Sequence, residues 1–410
     1  MVREVRLAQI IETSCVVAGG GPAGMMAGLL LARAGVDTIV LEKHADFLRD
    51  FRGDTIHPST LQAMDDLGLY DRFLALPHQE ATILSAQFGD ESIAIADFSH
   101  LPTRAKFIAF MPQWDFLDFI AREAQNYPNF RLIMHADVDD LVIADGVVKG
   151  VKAQTLQGPL EIRAALTIGA DGRRSSVREK AGFTPTDIGA PMDVLWFKLT
   201  RRTGDTSEPL GRIAAGKFLV MINRGDQWQC GYVIPKGGFD VLKAQGIDVL
   251  RSSVAQLAPF MADRVAELAD WTHVSLLTVT VNRLALWHRP GLLCIGDSAH
   301  AMSPVGGVGI NLAIQDAIAA ANILAPTLAR KETPSTAMLA EVQHRRELAV
   351  KLMQALQVFI QKRVISNVLA AQDRPLPPPW PMRLFQYFPW LRRIPARVIG
   401  LGFRPERVRV

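Results

Sequence analysis

The sequence predicts an α/β protein, and three observations support this prediction. Unalternating apolar runs lead into glycine-containing turns at 14–21, 165–172 and 291–300, as expected of buried strands in a parallel sheet. An alanine-rich stretch, 22–34, follows the first run and is typical of a helix. Residues 190–282 instead hold several runs of β-forming residues. We therefore expect a Rossmann-like domain that is interrupted by an inserted, mostly β domain and completed by C-terminal helices.

Local signals place the remaining elements along the chain. Gly35 ends the first helix, and residues 36–42 form a second buried strand. Ser59 is a good N-cap for a helix over 59–69. The other predicted elements are a hairpin at 81–98, a helix at 113–125, strands within 129–155, a helical insertion near 248–268, and long helices at 310–329 and 334–369.

Length and composition exclude several classes of protein. The chain has 410 residues, of which 49% are hydrophobic and 21% charged, so it can bury a large core and is not intrinsically disordered. It has no uncharged apolar run of about 18 residues, and its first 14 residues lack the apolar segment of a secretory signal. Cys15, Cys230 and Cys294 are too scattered for a disulfide framework or a zinc site. We expect a cytoplasmic protein without a bound metal.

The net charge of +4 is concentrated at the C-terminus. The last twenty residues hold six arginines and a single acid, Glu406. This segment therefore carries +5, and the other 390 residues sum to −1. A nucleic-acid-binding face is consequently not indicated for the body of the protein.

A glycine-rich loop lies between the first strand and the first helix. Residues 19–24 (GGGPAG) match G-x-G-x-x-G; its glycines permit a tight turn, approach of a pyrophosphate to the backbone, and close helix–strand packing. The helix N-terminus offers free N–H groups to phosphates. Glu42 can accept hydrogen bonds from both ribose hydroxyls, which favours FAD or NAD over NADP. The predicted contacts are Gly19, Gly21, Pro22, Ala23, Gly24 and Glu42.

Two later motifs decide between these dinucleotides. Residues 169–178 (GADGRRSSVR) and 296–311 (GDSAHAMSPVGGVGIN) each follow a predicted buried strand. Together with the glycine-rich loop, in this order and at these separations, they resemble the single-component FAD-dependent aromatic hydroxylases related to para-hydroxybenzoate hydroxylase. The resemblance covers roughly residues 14–370.

The resemblance implies how the chain would bind FAD. Asp297 can bind ribityl hydroxyls, and the helix beginning near Ile310 would stabilise negative charge on the reduced flavin. The glycines of 306–309 would let the backbone lie against the isoalloxazine. Arg52 matches a position near the FAD pyrophosphate, where a guanidinium pairs bidentately with phosphate. The resemblance also implies cofactor contacts from Gln113, Asp171, Pro304, Gly307, Val308, Gly309, Ile310 and Asn311.

One position departs from the family pattern, which is Gly-Gly-Gln-Gly-Met-Asn after the proline. Val308 stands where the family has a polar glutamine. The glycines of the segment remain, so we expect FAD binding to be retained. The substrate contacts of the family apply less directly to this chain.

The resemblance implies a reaction in two halves. NADH or NADPH, bound transiently, delivers a hydride to FAD; the reduced flavin then captures O₂ as a C4a-hydroperoxide that hydroxylates an electron-rich ring. Such an enzyme excludes water and often deprotonates a phenol. Asp54 is the first candidate for this base, because some relatives carry an aspartate in the corresponding loop; a solvated loop aspartate is the alternative. His57 and Tyr232 are weaker candidates, and a structural role suits each better.

The inserted β domain is expected to form the sheet over the flavin. Its apolar runs contain few cationic residues, which favours a large apolar substrate, such as a polyketide, prenylated phenol or quinone precursor, over a small aromatic acid. The candidate wall residues are Trp196, Phe197, Leu219, Met221 and Tyr232.

These assignments divide the chain into three parts. A discontinuous FAD-binding domain comprises 1–80, 111–185 and 283–370, and a β-rich substrate domain comprises 81–110 and 186–282. Residues 371–410 form an arm rich in proline, aromatic residues and arginine. Both a monomer and a homodimer fit the sequence.

The arm has two interpretations. Its aromatic residues and arginines suit a peripheral contact with an anionic membrane. Alternatively, the arm packs on the catalytic body, shielding the active site or forming a dimer, and Pro389 and Pro395 favour this second interpretation because they interrupt a long amphipathic helix.

Other functions remain open at this point. An FAD-dependent oxidoreductase or reductase of the same fold, without oxygen insertion, would carry the same motifs. A catalytically silent flavoprotein is disfavoured by the intact glycine-rich loop, Asp171 and Asp297. A flavin-dependent halogenase is disfavoured because the chain has no Trp-x-Trp-x-Ile-Pro segment, and a plain NAD-dependent dehydrogenase would lack the later motifs.

Overall fold

The computed structural model describes residues 9–48, 54–206, 210–371 and 376–410. The strands are β1 (Gln9–Ala18), β2 (Thr38–Leu41), β3 (Thr55–Ile56), β4 (Gln79–Ala81), β5 (Ile83–Phe88), β6 (Glu91–Asp97), β7 (Ile108–Phe110), β8 (Phe130–Ile133), β9 (Asp137–Ala144), β10 (Val147–Thr155), β11 (Gly158–Gly169), β12 (Thr186–Asp187), β13 (Met192–Thr200), β14 (Leu210–Ala214), β15 (Lys217–Asn223), β16 (Gln227–Pro235), β17 (Ser275–Leu277), β18 (Asn282–Arg283), β19 (His288–Arg289), β20 (Leu292–Cys294) and β21 (His300–Ala301). The helices are α1 (Pro22–Arg33), α2 (Pro58–Asp66), α3 (Tyr70–Leu74), α4 (Gln113–Ala124), α5 (Ser176–Lys180), α6 (Phe239–Gln245), α7 (Ile247–Leu257), α8 (Gly309–Ala329), α9 (Thr336–Ile360), α10 (Ser366–Ala370), α11 (Trp380–Tyr387) and α12 (Arg393–Leu401); a π-helix, Gln361–Ile365, joins α9 to α10.

A parallel sheet forms the centre of the dinucleotide-binding domain. Its order is β20-β11-β1-β2-β8, and β19 pairs antiparallel at one edge. Cys15 and Val17 of β1 pack with α1, α4 and α8 on one face, whereas Val16 and Ala18 pack with β9 and β10 on the other. The three apolar runs that lie far apart in the sequence are thus neighbours in one sheet, and the predicted α/β class is confirmed.

Helix α8 is the central helix of this domain. By length and composition it is apolar enough to cross a membrane, but 78% of its most apolar stretch is buried inside the protein. It packs between α1 and α9, so its apolar character is that of a core helix.

A second sheet contains seven strands in the order β17-β13-β16-β15-β14-β5-β6. The hairpin of β5 and β6 joins it through parallel pairing of β5 with β14. Strands from both 81–110 and 186–282 therefore lie in one sheet, while the exact domain limits stay a prediction. Helix α7 covers one face of this sheet and contributes Leu250 and Val254 to a shared apolar core.

Several local predictions need correction. Ser59 lies inside α2, which begins at Pro58 with His57 in the N-cap position; proline is favoured at a first helical position because its missing N–H has no partner to lose there. The helical insertion begins earlier than 248, at Phe239, and ends in three short 3₁₀ turns. Strand β11 begins at Gly158 rather than near 165, since its first half already pairs in parallel with β1 on one edge and antiparallel with β10 on the other.

The C-terminal arm packs on the body of the protein. Ala396, Gly400 and Leu401 of α12 are buried, and a side chain at Gly400 would collide with Leu101. His57 Nδ1 lies 2.8 Å from the carbonyl oxygen of Ile399, which can only accept, so Nδ1 carries the proton. The arm is therefore fixed by apolar packing and by a hydrogen bond to the helix α2 N-cap.

A buried ionic network connects α8, α9 and the end of the arm. The Asp316 carboxylate receives the His300 ring Nε2 at 2.6 Å and Arg346 Nε at 3.1 Å. Arg346 also donates to the carbonyl oxygen of Arg404 at 3.0 Å and lies 3.7 Å from Glu406. Burial acts to raise the pKa of Asp316, but His300 and Arg346 more than offset it and lower that pKa. The network thus keeps a carboxylate ionised in the core.

We predict that Arg346→Leu destabilises the protein by about 3–5 kcal/mol, because it leaves the buried Asp316 carboxylate without its cationic partner. The measurement is the urea midpoint of unfolding of the purified protein. Arg330→Leu is the matched control: it breaks the exposed pair with Glu332 and should leave the midpoint unchanged. Equal midpoints for Arg346→Leu and wild type would contradict the role of this network.

Acid should weaken the contact between the arm and α2. Burial lowers the pKa of His57 to about 4 from its usual 6.5, so the unfolded chain binds a proton that the folded chain excludes. The stability that neutral His57 provides is complete above pH 6.5 and is lost as pH falls towards 4, by about 3 kcal/mol. We expect His57→Gln to flatten the pH dependence of unfolding in this range. His344→Gln, at an exposed position, should retain the wild-type slope.

Candidate active site

The glycine-rich loop has the geometry of a phosphate site. Gly19 has φ +104°, and a Cβ there would lie 2.5 Å from the carbonyl oxygen of Ala170; a Cβ at Gly24 would overlap the carbonyl of Gly19. By contrast, a Cβ at Gly21 would meet nothing within 4 Å. The first and third glycines are thus required by packing, and the second leaves open space over the N-terminus of α1, which begins at Pro22.

Glu42 lies directly after β2 beside this loop. It is buried, and its two carboxylate oxygens accept the backbone N–H groups of Gly20 at 3.0 Å and His44 at 3.1 Å. These bonds fix the orientation of the carboxylate beside the loop.

The motif after β20 meets the glycine-rich loop in space. The Cβ position of Gly296 lies 3.1 Å from Ala23 of α1 and from Ala313 of α8, so only a residue without a side chain lets the three elements converge. The next residue, Asp297, is partly exposed, and one oxygen lies 3.4 Å from Arg173 Nη2. A carboxylate at this strand end can accept hydroxyl groups from a bound ligand.

Asp171, unlike the partly exposed Asp297, makes its hydrogen bonds within the protein. Its carboxylate accepts Ser175 Oγ at 2.5 Å and the backbone N–H of Val177 at 3.1 Å. Burial raises its pKa, and these hydrogen bonds oppose that change. Asp171 therefore closes the turn that begins α5, and its contact with a cofactor stays a prediction.

The turn before α8 depends on glycine at two positions. Gly306 and Gly307 have φ +78° and +63°, in the left-handed region that favours glycine. Thr55 Oγ1 donates to the carbonyl oxygen of Gly307 at 2.9 Å. Asn311 accepts the backbone N–H of His57 at 2.9 Å and donates to the carbonyl oxygen of Thr55 at 3.2 Å. The Asn311 side chain is thus used inside the protein, so a cofactor contact there would come from its backbone.

The unusual Val308 is explained by packing. Its side chain is buried in an apolar cluster with Met302, Leu312 and Met353. A valine is suited to this environment because a buried polar side chain without partners would be destabilising. The substitution stabilises the turn from beneath.

Three glutamines of the α9 and π-helix segment hold this turn, and our sequence predictions did not include them. Gln357 donates to the carbonyl oxygens of Ser303 at 2.9 Å and Val305 at 2.8 Å, and Gln361 donates to Ser303 Oγ at 2.5 Å. Gln354 donates to the carbonyl oxygens of Asn282 at 2.9 Å and Ala301 at 3.1 Å, just before this turn. In the sequence, the only signal is the i, i+3, i+7 spacing of these glutamines, which places them on one face of a helix.

Asp54 is buried beside this turn, immediately before Thr55. Arg224 Nη2 lies 2.6 Å from one carboxylate oxygen, and Gln229 of β16 donates to the other. The backbone N–H of Gln113, the first residue of α4, adds a further hydrogen bond. Burial raises the pKa of Asp54, opposed by Arg224 and these hydrogen bonds. The alternative of a solvated loop aspartate is therefore excluded, whereas a base role for Asp54 stays a prediction.

The seven-stranded sheet separates the predicted wall residues into two groups. Trp196 lies on the same face as Gln229, the partner of Asp54, and its ring covers Gly231. Leu219, Met221 and Tyr232 lie on the opposite face, against α7. Their assignment to the substrate wall is therefore wrong, because adjacent residues in a strand point to opposite faces. Phe197 shares that correction and lies in the same apolar core.

Two other candidates, Tyr232 and Arg52, differ in outcome. Burial raises the pKa of Tyr232, and its hydroxyl bonds to Ser253 of α7, so it is a core tyrosine and not a base. Arg52 lies outside the described residues, and its contact with a pyrophosphate stays a prediction.

Sequence relatives and solved structures share this organisation. A family model described as an FAD binding domain matches residues 12–356. The 6-methylpretetramide 4-monooxygenase of Streptomyces rimosus is 32% identical over 358 residues, which cover 87% of this chain and 85% of that protein. The dialkyldecalin synthase of Streptomyces rugosporus is 26% identical, covering 79% of this chain and 68% of its own.

The fold extends to solved structures at low sequence identity. The crystal structure of p-nitrophenol 4-monooxygenase from Pseudomonas putida DLL-E4 matches with a TM-score of 0.72 at 20% identity, over 96% of this chain and 99% of that one. The family match spans the glycine-rich loop, both later motifs and the whole inserted sheet. The chain therefore belongs to the single-component FAD-dependent aromatic hydroxylases and is an FAD-dependent monooxygenase.

Proposed function

We propose that this monooxygenase hydroxylates a large phenolic substrate of the polyketide class, with NADH or NADPH as a transient co-substrate and O₂ as the oxidant. The observation that carries the proposal is the buried Asp54–Arg224–Gln229 cluster next to the turn at Gly307. A second line of support is the relative named 6-methylpretetramide 4-monooxygenase. We also propose that the protein acts in the cytoplasm.

The residues at the strand ends suit FAD. The open space at Gly21 would take the pyrophosphate, Glu42 the adenosine ribose and Asp297 the ribityl chain, while the glycine turn at 306–307 would lie beside the ring system. When bound, FAD supplies the redox chemistry that connects the nicotinamide to O₂. The N-terminus of α8 contributes the positive end of its dipole to that position.

Asp54 is suited to take the phenolic proton. A carboxyl whose pKa is raised by burial is a stronger base than a solvated one, and deprotonation makes the aromatic ring more nucleophilic. Arg224 would remain beside the site and compensate the charge that moves from the carboxylate to the phenolate. Gln229 and the Gln113 backbone N–H hold the carboxylate in one orientation.

The face of the sheet around Trp196 would exclude water from the site. Val220 and Gly231 lie level with Trp196 on that face, and Ile222 packs into the cluster beside it. The Trp196 ring and the apolar side chains beside it suit a polycyclic aromatic substrate.

We expect Asp54→Asn to slow oxygen transfer by about 10²–10⁴-fold, the range of general base catalysis, while flavin reduction stays unchanged. Single-turnover kinetics separate the two steps. In the wild type, the rate of hydroxylation should fall as pH drops through the raised pKa of Asp54, because a protonated carboxyl cannot accept a proton. That acid limb should be absent in the variant.

Asp115→Asn is the matched control for this experiment. Asp115 lies in the first turn of α4, and its pKa is also raised, by burial and by Asp118. The Asp115→Asn variant should hydroxylate the substrate at nearly the wild-type rate. Unchanged single-turnover hydroxylation in Asp54→Asn would refute the base role.

Substrate preference tests the proposed substrate class. A tetracyclic phenol should accelerate NAD(P)H oxidation with incorporation of one oxygen atom, and Trp196→Ala should raise its KM about three- to tenfold, the value of one aromatic contact. Tyr232→Phe, on the far face, is the control and should not. Tight binding of a simple benzoate, with stimulated flavin reduction, would count against the proposed substrate class. NAD(P)H oxidation that yields a non-oxygenated product would instead favour an oxidoreductase without oxygen insertion.

A further inference from the structure

The C-terminal arm has an inner side that is firmly docked. Met382 of α11 packs against Phe88 and Ile213 of the second sheet, and Gln386 donates to the Glu91 carboxylate at 3.0 Å. Leu401 of α12 is buried in the cluster beside Trp196. The arm therefore holds its shape without a partner, and its outer side is a preformed surface.

That outer side is aromatic and exposed. Within the described residues, five large aromatic side chains are exposed, and four of them lie between 380 and 390. Trp380 and Tyr387 are each 75% exposed and lie two turns apart on α11, and Trp390 is 58% exposed. Exposed apolar residues that gather in one patch mark an interaction surface, whereas scattered ones do not. We name this patch the aromatic face; it consists of Trp380, Leu384, Tyr387, Phe388, Trp390 and Ile394.

The charge around the aromatic face has one sign. From Leu376 to Pro405 the sequence contains five arginines and no acidic residue. Arg383, Arg393 and Arg397 are exposed beside the aromatic side chains. Strand β6 contributes two acids near the arm: Glu91 accepts a hydrogen bond from Gln386, and Asp97 interacts with Arg392. The arm is thus complementary to a partner that has negative charges at its surface and an apolar layer directly below them.

We propose that the aromatic face docks the enzyme on an anionic lipid surface. Tryptophan and tyrosine are favoured at the boundary between headgroups and acyl chains, and arginines pair with anionic headgroups. A two-fold contact between copies of this chain would bring the same patch of arginines against itself. Electrostatics therefore favours lipid over self-association.

The test is sedimentation of the full-length holoenzyme with sucrose-loaded vesicles. We expect binding to mixed phosphatidylcholine–phosphatidylglycerol vesicles and little binding to phosphatidylcholine alone. Raising the salt from about 0.05 M to about 0.5 M should weaken binding, because it screens the arginines. Arg383→Gln with Arg393→Gln should lower partitioning about 30-fold, since each arginine near the surface is worth about fivefold. Trp380→Ala with Trp390→Ala should also abolish most binding.

Matched controls separate this effect from general changes. Lys149→Gln with Lys152→Gln removes two exposed charges from β10, and Phe359→Ala removes the exposed aromatic residue outside the face; neither should alter partitioning. FAD content should be the same in all variants. Equal binding to neutral and anionic vesicles, or none to either, would overturn the proposal, as would light scattering that shows a dimer dissociated by the tryptophan variant.

Discussion

The buried carboxylate of Asp316 holds in place the turns that make up the candidate site. It lies in the middle of α8, and its Oδ2 atom accepts the backbone N–H of Gly296 at 3.0 Å as well as the His300 ring. The Gly296 turn carries Asp297, and the strand after it leads into the turn at Gly307. A single buried charge thus fixes the turn at Gly296, where the chain leaves the parallel sheet.

Such a charge is tolerated in the core only because each of its oxygens has a partner. Arg346 supplies the compensating charge, and its contacts with the Arg404 carbonyl and with Glu406 reach the end of the C-terminal arm. The arm is therefore part of the support of the site as well as a surface feature. Its α12 helix also contacts His57, two residues from Thr55, so it stabilises the active-site region from two directions.

The parts of the site that were predictable from sequence are those in which backbone geometry demands a residue type. Gly19 and Gly24 have no space for a side chain, and such positions leave a fixed spacing in the sequence. The face of a strand was not predictable in the same way. Strand β15 is apolar on both faces from Phe218 to Ile222, because one face meets α7 and the other packs beside Trp196, so alternation gave no signal for Leu219 or Met221.

Polar contacts between residues far apart in the sequence were also not predictable. The pairing of Asp54 with Arg224 joins residues 170 positions apart, and that of Arg346 with Asp316 depends on how α9 packs on α8. No local pattern specifies such a partner. The glutamines of α9 were recognisable as buried polar residues only once the backbone groups they bind were known.

The position of the π-helix determines where this chain can tolerate a change of length. A π-turn accommodates one additional residue within a helix, and here it begins at Gln361, the last glutamine that binds the Ser303 segment. An insertion in α9 before this residue would rotate the glutamines away from the backbone groups that they hold. After it, the helix meets the other sheet, where Val368 accepts the N–H of Gly216. The π-turn thus lies between two helical registers, one set by the turn that contains Ser303 and one by the seven-stranded sheet.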